Sequence, residues 1–498
     1  MQPLGRQQIV EGSDHIKQCT ISDDIILADC YEYDYTLWML ATSKLGRTIS
    51  FDPLGISIGD NIESKEYICR RYEKQFSHIT IRFVFFYANT AGAGDFMPAD
   101  QLEEGFYRTL ALCPWFAGEL KQTPSGGMEV IVDEEKLNMP YYRESQSLVH
   151  FSKIQSSGFH RMTWPDNLVP VGPVAYPDKA TGMIKLLHIQ VVRLKENSGV
   201  AISVNFNHGV ADDETRALVS GVPVAEASFC FGGDIIKRHL PTERAPLSEP
   251  SCKVLSAKSH VADFFMWLSL NKRGMLASYL VNSASPRGHL FRISRSKIDR
   301  LRSQVLEHLP HETRLSTNDI ISAALHRVHE QAVIGKSRGW LDRLTGWKNG
   351  VAGEHCTAVV VNYRRQLGMS ELNYMGNPIF SEFVLTPMHQ ANLPITPKTI
   401  SEVAGQIRSQ VSALTIPRIG QNIDVFDSGE KYAADFFVIG MTHKLMTITT
   451  NITSAKMYSA DFGHGVQAFS TIHPELAMGI FLILPSPPSK QGHSCQYL

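Results

Sequence analysis

The chain has 498 residues, more than one ordinary hydrophobic core holds, so two domains are expected. Its 48 basic and 49 acidic side chains give a net charge of −1, without the basic excess typical of a nucleic-acid-binding protein. No apolar run approaches the roughly 20 residues that span a bilayer. Eight cysteines without a CxxC pair, and a beginning without the apolar core of a secretory signal, predict a cytoplasmic enzyme with reduced thiols.

Strand and helix patterns alternate irregularly along the first half of the chain, which favours a mixed α and β fold. Leu102, Phe106 and Leu110 recur every four residues, as on one face of a helix, and Asp100 with Glu103 resembles a capping box at its start. The elements predicted here are a strand over 79–85, a helix over 100–112, and strands over 184–194 and 200–207 that form a hairpin through the turn 195–199.

The second half resumes after a segment rich in proline and serine, 241–259, which we interpret as a linker. We therefore predict an N-terminal domain over 1–225, a crossover linker over 226–260 and a C-terminal domain over 261–498. Ser316 and Asp319 resemble a capping box. The elements predicted in this half are helices over 317–333 and 400–414 and strands over 357–363, 435–439, 446–452 and 479–484.

The segment around His208 is the most informative part of the sequence. If the alternation of strand 200–207 continues, His208 lies on the same face as Phe206, at the exit of a buried strand. Gly209 then supplies a turn, and Asp212 or Asp213 caps a short helix through Leu218. An imidazole on a rigid strand end suits a general base, because its ordinary pKa is about 6.5.

Two other interpretations of His208 are open from the residues alone. A single histidine at a strand end is usually a hydrogen-bonded structural residue. His208, Asp212, Asp213 and Glu214 also offer metal-ligating atoms, but no second histidine follows at the helical spacing of an HExxH motif. We therefore expect no metal site here.

Two motifs carry a resemblance to a known family. The run Asn207–Asp212 looks like the HxxxD motif of BAHD-type acyltransferases, and Tyr458–Gly465, some 250 residues downstream, resembles their DFGWG motif. The similarity is closest to the fungal secondary-metabolite branch, which includes trichothecene acetyltransferases. Further similar segments are Pro114–Leu120, Leu315–Leu325, Asn362–Leu367 and Asn373–Asn377.

The resemblance implies two chloramphenicol-acetyltransferase-like domains that enclose a tunnel at their interface. It implies that His208 is the general base, that Asp212 supports the histidine loop by pairing with an arginine, and that Asp461 and Gly463 maintain the architecture. For Asp212 we consider Arg292 and Arg295 as partners, and for Asp461 we consider Arg364 and Arg365. Ser316, Thr317 and Asp319 match a segment that borders the CoA tunnel in relatives.

The predicted activity is O-acylation of a small-molecule alcohol, either a terpenoid, a polyketide or an alkaloid, with acetyl-CoA as co-substrate. The enzyme is predicted to be a monomer without a resident cofactor. His464 replaces the tryptophan of DFGWG, and we expect activity to survive this change because that motif is mainly structural. Asp213 stands where many relatives carry glycine, which is expected to alter the cleft beside His208. Three alternatives remain open: the condensation chemistry of peptide synthetases, a CoA-independent cyclisation or elimination, and a non-catalytic ligand-binding protein. CoA binding distinguishes the predicted activity from the last two.

Overall fold

The fold is described from a computed structural model. It covers part of the chain, and the positions predicted for strand 435–439 and for the helix after Asp213 lie outside the described residues. Those described are residues 47–48, 65–69, 77, 79–123, 128–170, 172, 175, 177–178, 181–212, 229–255, 290–334, 354–370, 372–387, 389–427, 446–455, 457–465, 467–473, 479–487 and 495–497.

The described strands have these bounds in chain order: β1 Arg47–Thr48, β2 Lys65–Cys69, β3 Thr80–Ala88, β4 Glu119–Gln122, β5 Met128–Val132, β6 Tyr141–Gln146, β7 Leu187–Arg193, β8 Gly199–Asn207, β9 Phe229–Cys230, β10 Arg292–Ser294, β11 Glu354–Asn362, β12 Asn373–Tyr374, β13 Ile379–Pro387, β14 Met446–Asn451, β15 Phe469–Ile472, β16 Ile480–Ile483 and β17 Cys495–Tyr497. The predicted strands at 79–85, 184–194, 200–207, 357–363, 446–452 and 479–484 are confirmed within a few residues.

The described α-helices have these bounds: α1 Ala99–Leu112, α2 Phe151–Ser156, α3 Gly233–His239, α4 Glu249–Leu255, α5 Arg295–Leu306, α6 Thr317–Ile334, α7 Pro397–Ser412 and α8 Ile416–Asp427. Single 3₁₀ turns occur at Pro114–Ala117, Arg161–Thr163, Lys195–Asn197, Gln390–Asn392 and Met457–Ser459. The helices predicted over 100–112, 317–333 and 400–414 are confirmed as α1, α6 and α7.

The first sheet joins described strands in the order β1-β6-β7-β8-β3-β15. β7 and β8 form the predicted antiparallel hairpin, and β3 pairs antiparallel with β8 along its whole length. Ile202, Val204 and Phe206 of β8 enter one large core, which α1 covers, whereas Ala201 enters the core on the other face. β8 is therefore buried on both faces, and this fixes the position of the residue that follows it.

The second sheet, β13-β11-β14-β16, lies between two layers of helices. One core joins Val359 and Val384 of the sheet to apolar residues of α5, α6 and α7. A second core joins Ala358 to Ile419 and Ile423 of α8 and to residues of α3 and α4. The alternation along β11 thus serves two cores, as expected for a sheet covered by helices on both faces.

The two halves of the sequence share sheets. β15, near the end of the chain, pairs antiparallel with β3 of the first sheet. β9 and β12 form a short parallel pair that joins 229–230 to 373–374. The mixed α/β class is confirmed, whereas the exact domain boundaries at 225 and 260 stay predictions.

One predicted helix cap was wrong, and the segment predicted as a linker holds a short helix. α1 has no capping box, because Pro98 occupies its N-cap and offers no hydroxyl, while buried Glu103 accepts a hydrogen bond from the Tyr107 hydroxyl at 3.3 Å. The linker 241–259 contains α4: the Ser248 hydroxyl accepts from the Ser251 N–H at 3.1 Å, and Val254 is buried. The serine and proline residues there start a helix, which is a common use of both residue types.

Candidate active site

The main chain of His208 is fixed by the end of the first sheet. β8 ends at Asn207 and a turn occupies 208–210. The His208 N–H donates to the Ile79 carbonyl at 2.8 Å, which continues the pairing of β8 with β3 by one residue. The buried Asn207 side chain donates to the Ser77 carbonyl at 2.7 Å and accepts from the Gly209 N–H at 2.8 Å.

Gly209 is required here by space. A Cβ at this position would lie 2.9 Å from the Ser77 Cα and 3.0 Å from the Asn207 Oδ1, closer than real Cβ contacts. The φ angle of Gly209 is not in the left-handed region, so the turn does not need a glycine for its backbone conformation. The close approach of two backbone segments is the reason, which is another established use of glycine.

The His208 imidazole has a defined tautomer. Its Nδ1 lies 3.0 Å from the Ala211 carbonyl oxygen. Because a carbonyl oxygen only accepts, Nδ1 must carry the proton and donate it. Nε2 is then the unprotonated nitrogen, and its lone pair is available to take a proton.

Burial lowers the pKa of His208 to about 4, while hydrogen bonds to Ala211 and Asn377 oppose that shift. The ring packs against protein on most sides but keeps some exposure. The imidazole is therefore neutral at physiological pH, and it is in the form that accepts a proton.

Asp212 is fully buried and pairs with Arg364 from the second half of the chain. Arg364 Nη1 donates to Asp212 Oδ2 at 2.6 Å and Nη2 donates to Oδ1 at 2.9 Å, a bidentate pair. The expectation that Arg292 or Arg295 is the partner is wrong: Arg295 bonds Asp299 on its own helix at 2.9 Å. Arg364 reaches Asp212 because the turn after β11 points its guanidinium at the histidine loop.

Arg364 also organises the segment that follows β12. Its Nη2 donates to the carbonyls of Tyr374 and Gly376, both at 2.9 Å. The next residue, Asn377, donates from Nδ2 to the His208 carbonyl at 2.7 Å. The sequence suggested Arg364 only as a partner for Asp461, and Asn377 only as part of a similar segment, because a contact across 152 or 169 residues leaves no local pattern.

The DFGHG segment packs against the first sheet. The Tyr87 hydroxyl donates to the Ala460 carbonyl at 3.1 Å, and the Tyr87 ring meets the Phe462 ring edge-on at 5.6 Å. Asp461 accepts from the N–H groups of Gly463 and Gly465 at 2.9 and 3.0 Å. Asp461 is exposed and, among the described residues, shares no ion pair with an arginine, so the expected pairing with Arg364 or Arg365 is wrong.

Gly463 and Gly465 have φ values of 86° and 89°, a conformation that favours glycine. His464, in place of tryptophan, meets the Phe96 ring edge-on at 5.4 Å and approaches Gln101 at 3.4 Å. The loop thus joins a C-terminal segment to α1 and the first sheet, and its described contacts are those of an architectural element.

Ser316, Thr317 and Asp319 form the start of α6. The Ser316 N–H donates to Asp319 at 2.6 Å and the Asp319 N–H donates to the Ser316 hydroxyl at 3.2 Å, the predicted capping box. Asp319 is buried and also binds Arg408 of α7, a partner that sequence analysis missed. Arg302 donates to the Thr317 hydroxyl at 3.3 Å. Contact with CoA stays a prediction for these three residues.

A buried cluster of His326, Glu330 and His355 has the side-chain types of a metal site. However, both ring nitrogens of His326 contact threonine hydroxyls, from Thr357 and Thr386. Burial lowers the pKa of His326 and of His355, so both rings are neutral.

The charge balance of this cluster also argues against a cation. Arg327, itself buried, donates to Glu330 and already neutralises that carboxylate. A divalent ion would therefore add two uncompensated positive charges in the interior, at high desolvation cost. We interpret the cluster as a neutral hydrogen-bonded network between α6 and the second sheet.

The geometry around His208 has a definite chemical capacity. A neutral imidazole whose Nε2 is unprotonated stands at a rigid strand end, held by segments from both halves of the chain. It can take a proton from a hydroxyl and return it to a leaving group. The carboxylate of Asp212 cannot share this task, because Arg364 occupies both of its oxygens.

Comparison with known proteins agrees with this description. Residues 72–217, which contain the His208 loop, match the sequence model of the Transferase family. TRI101 of F. sporotrichioides, solved with coenzyme A and T-2, is 15% identical, with 87% of this chain and 94% of that chain covered and a TM-score of 0.60. TRI101 of F. graminearum, solved with coenzyme A and deoxynivalenol, is 14% identical with the same coverage and TM-score. Vinorine synthase is 15% identical, with 91% and 92% covered and a TM-score of 0.52.

No protein of curated function matches the sequence. The fold is nevertheless defined: it is the one shared with TRI101 and vinorine synthase. The resemblance to BAHD-type transferases is thereby confirmed. In the part of the chain described, every helix falls short of the length and apolarity needed to cross a membrane.

Proposed function

We propose that this chain is a CoA-dependent O-acyltransferase that moves an acetyl group from acetyl-CoA to a hydroxyl of a small secondary metabolite. The observation that carries the proposal is the His208 tautomer: Nδ1 is committed to the Ala211 carbonyl, so Nε2 is the base. The match of 72–217 to a transferase family supports it. So do the fold neighbours that bind coenzyme A with a trichothecene-type molecule.

In the proposed reaction His208 Nε2 takes the proton of the acceptor hydroxyl as its oxygen attacks the thioester carbonyl. The tetrahedral intermediate expels the CoA thiolate, which takes the proton back from the imidazolium. An acyl-enzyme is not needed, because both substrates meet at one site and proximity supplies much of the acceleration. The low pKa of His208 keeps the base neutral before substrate binds.

Asp212 and Arg364 hold the loop in this scheme, and Asp461 and Gly463 hold the C-terminal segment against the first sheet. Ser316, Thr317 and Asp319 are proposed to border the CoA path. We further propose a monomeric cytoplasmic enzyme whose acceptor is a terpenoid, polyketide or alkaloid alcohol.

The test is acyl transfer by purified protein from acetyl-CoA to deoxynivalenol and to a metabolite extract of the native host. Acetylated products are followed by mass spectrometry and free CoA by a thiol reagent. His208→Ala should reduce transfer by about 10²–10⁴-fold. His311→Ala, which alters an exposed histidine, is the matched control and should be as active as wild type.

Two results would contradict the proposal. A product that forms without acetyl-CoA but depends on His208 would indicate a CoA-independent reaction. Absence of CoA binding by isothermal titration calorimetry, in protein that binds a metabolite, would indicate a ligand-binding protein.

A further inference from the structure

The described hydrogen bonds of His208 come from both halves of the chain. Its N–H is bound to Ile79, and its ring Nδ1 is bound to the Ala211 carbonyl within the same turn. Its carbonyl accepts from Asn377 at 2.7 Å. The third bond therefore couples the base to a segment 169 residues away.

Burial and a hydrogen bond to the preceding residue together fix the position of Asn377. Asn377 is fully buried, and the carbonyl of the preceding Gly376 accepts from Arg364 at 2.9 Å. The same guanidinium binds Asp212, four residues after His208. The contacts close a ring: His208 to Asn377, along the chain to Gly376, through Arg364 to Asp212, and back along the loop to His208.

A closed ring of this kind limits how far its members move independently. Without the Asn377 donor, the ion pair of Asp212 and Arg364 still connects the loop to the second half of the chain. That ion pair, however, lies four residues from His208. The His208 carbonyl would also lose the partly buried hydrogen bond that Asn377 donates to it. Asn377 also affects the imidazole, because a hydrogen bond between the ring and this side chain raises the His208 pKa that burial lowers.

We propose that Asn377 is a positioning residue for the base: its side-chain amide fixes His208 at the strand end, so that the second half of the chain sets the place from which Nε2 acts. This role rests on the proposed function. It differs from that of Arg364, which acts on the loop through Asp212 and not on His208 itself.

Asn377→Ala removes the amide, and Asn377→Asp is an isosteric variant that replaces the donor with an acceptor. Asn138→Ala is the matched control, because Asn138 is also buried and donates to two carbonyls, of Gly118 and Ile184, away from the site. Folding of each variant is checked by circular dichroism and thermal melting. Activity is measured with acetyl-CoA and the acceptor found for wild type.

Both Asn377 variants should lower kcat by roughly 10²-fold, as a displaced catalytic group does, with KM for acetyl-CoA unchanged. Asn138→Ala should lower the melting temperature but keep kcat per folded protein. The titration of His208, observed by NMR of histidine-labelled protein and assigned with His208→Ala, adds a readout that does not need a substrate. Its pKa should fall in Asn377→Ala and rise in Asn377→Asp, where a carboxylate faces the ring.

If the kcat of both Asn377 variants equals that of Asn138→Ala and the His208 titration is unchanged, Asn377 only supports the fold and the inference is wrong. If wild type transfers no acetyl group while the titration shifts as expected, the proposed function fails and the positioning of His208 by Asn377 stands.

Discussion

The pair of Asp212 and Arg364 gives the sharpest quantitative test of the site. Arg364→Met keeps most of the side-chain volume but removes the charge and both bonds to the Asp212 carboxylate. Asp212 is fully buried, so the substitution leaves its negative charge in the interior without the neutralising arginine. Breaking a buried pair in this way costs about 3–5 kcal/mol.

The expected change in melting temperature follows from the size of the chain. Unfolding entropy is about 2.1 cal/mol/K per residue, or roughly 0.5 kcal/mol/K for half of this chain. A loss of about 4 kcal/mol then lowers the melting temperature by roughly 8 °C if that half unfolds alone, and by roughly 4 °C if the whole chain unfolds together. Calorimetry measures this directly.

A second buried pair in the same half provides the control. Arg418 donates to Glu382 at 2.9 Å, and both side chains are almost fully buried. Arg418→Met should therefore lower the melting temperature to a similar extent without lowering kcat. Arg364→Met should lower both, because only this arginine holds the His208 loop.

The double variant Asp212→Asn with Arg364→Met completes a thermodynamic cycle. Because it leaves no buried charge, it should be more stable than the sum of the two single changes implies, by about 1–3 kcal/mol. Strict additivity, or an Arg364→Met protein with wild-type stability and kcat, would refute the argument that this pair fixes the loop.

Four further predictions follow from the described contacts. The value of kcat/KM should rise with pH through about pH 4 and stay flat from about pH 6 to 8. The reason is that only the neutral His208 accepts a proton and burial lowers its pKa to about 4. A midpoint near 6.5 in the pH–rate profile would contradict this. Asp319→Asn should lower stability by about 1–2 kcal/mol in thermal melts, since it replaces the carboxylate that accepts from the Ser316 N–H and binds Arg408. Asp461→Ala should reduce the melting temperature slightly and leave kcat near wild type, because the carboxylate binds two backbone N–H groups in an exposed loop. Gly463→Ala should be more damaging by the same measurements, since its φ of 86° strains any other residue by about 1–3 kcal/mol.

Local patterns predicted much of the fold. The alternation of Ile202, Val204 and Phe206 placed one face of β8 in a core, and the four-residue spacing of Leu102 and Phe106 defined α1. These predictions succeed because periodicity directly reflects which face of an element is buried. Where composition was the only guide, at 241–259, the short helix α4 was not predicted, because serine and proline occur both in linkers and at helix starts.

Pairing of charged residues shows the limit of local reasoning more clearly. The bond of Ser316 to Asp319 was predictable because both residues lie within one helical turn. The ion pair of Asp212 with Arg364 was not predictable, because 152 residues separate the two and the sequence offers many arginines for one buried aspartate. The resemblance indicated that an arginine exists, and only the tertiary structure identified which one.

The same distinction explains why His208 could be proposed as the base from the sequence, whereas the residues that support it could not be named. His208, Gly209 and Ala211 form a local unit: the strand end places the ring, the glycine admits a close backbone, and the Ala211 carbonyl selects the tautomer. What keeps that unit still is supplied by Arg364 and Asn377 of the second half. The position of His208 and the association of the two halves therefore depend on the same contacts. A change that loosens this association should displace His208 before it unfolds either sheet.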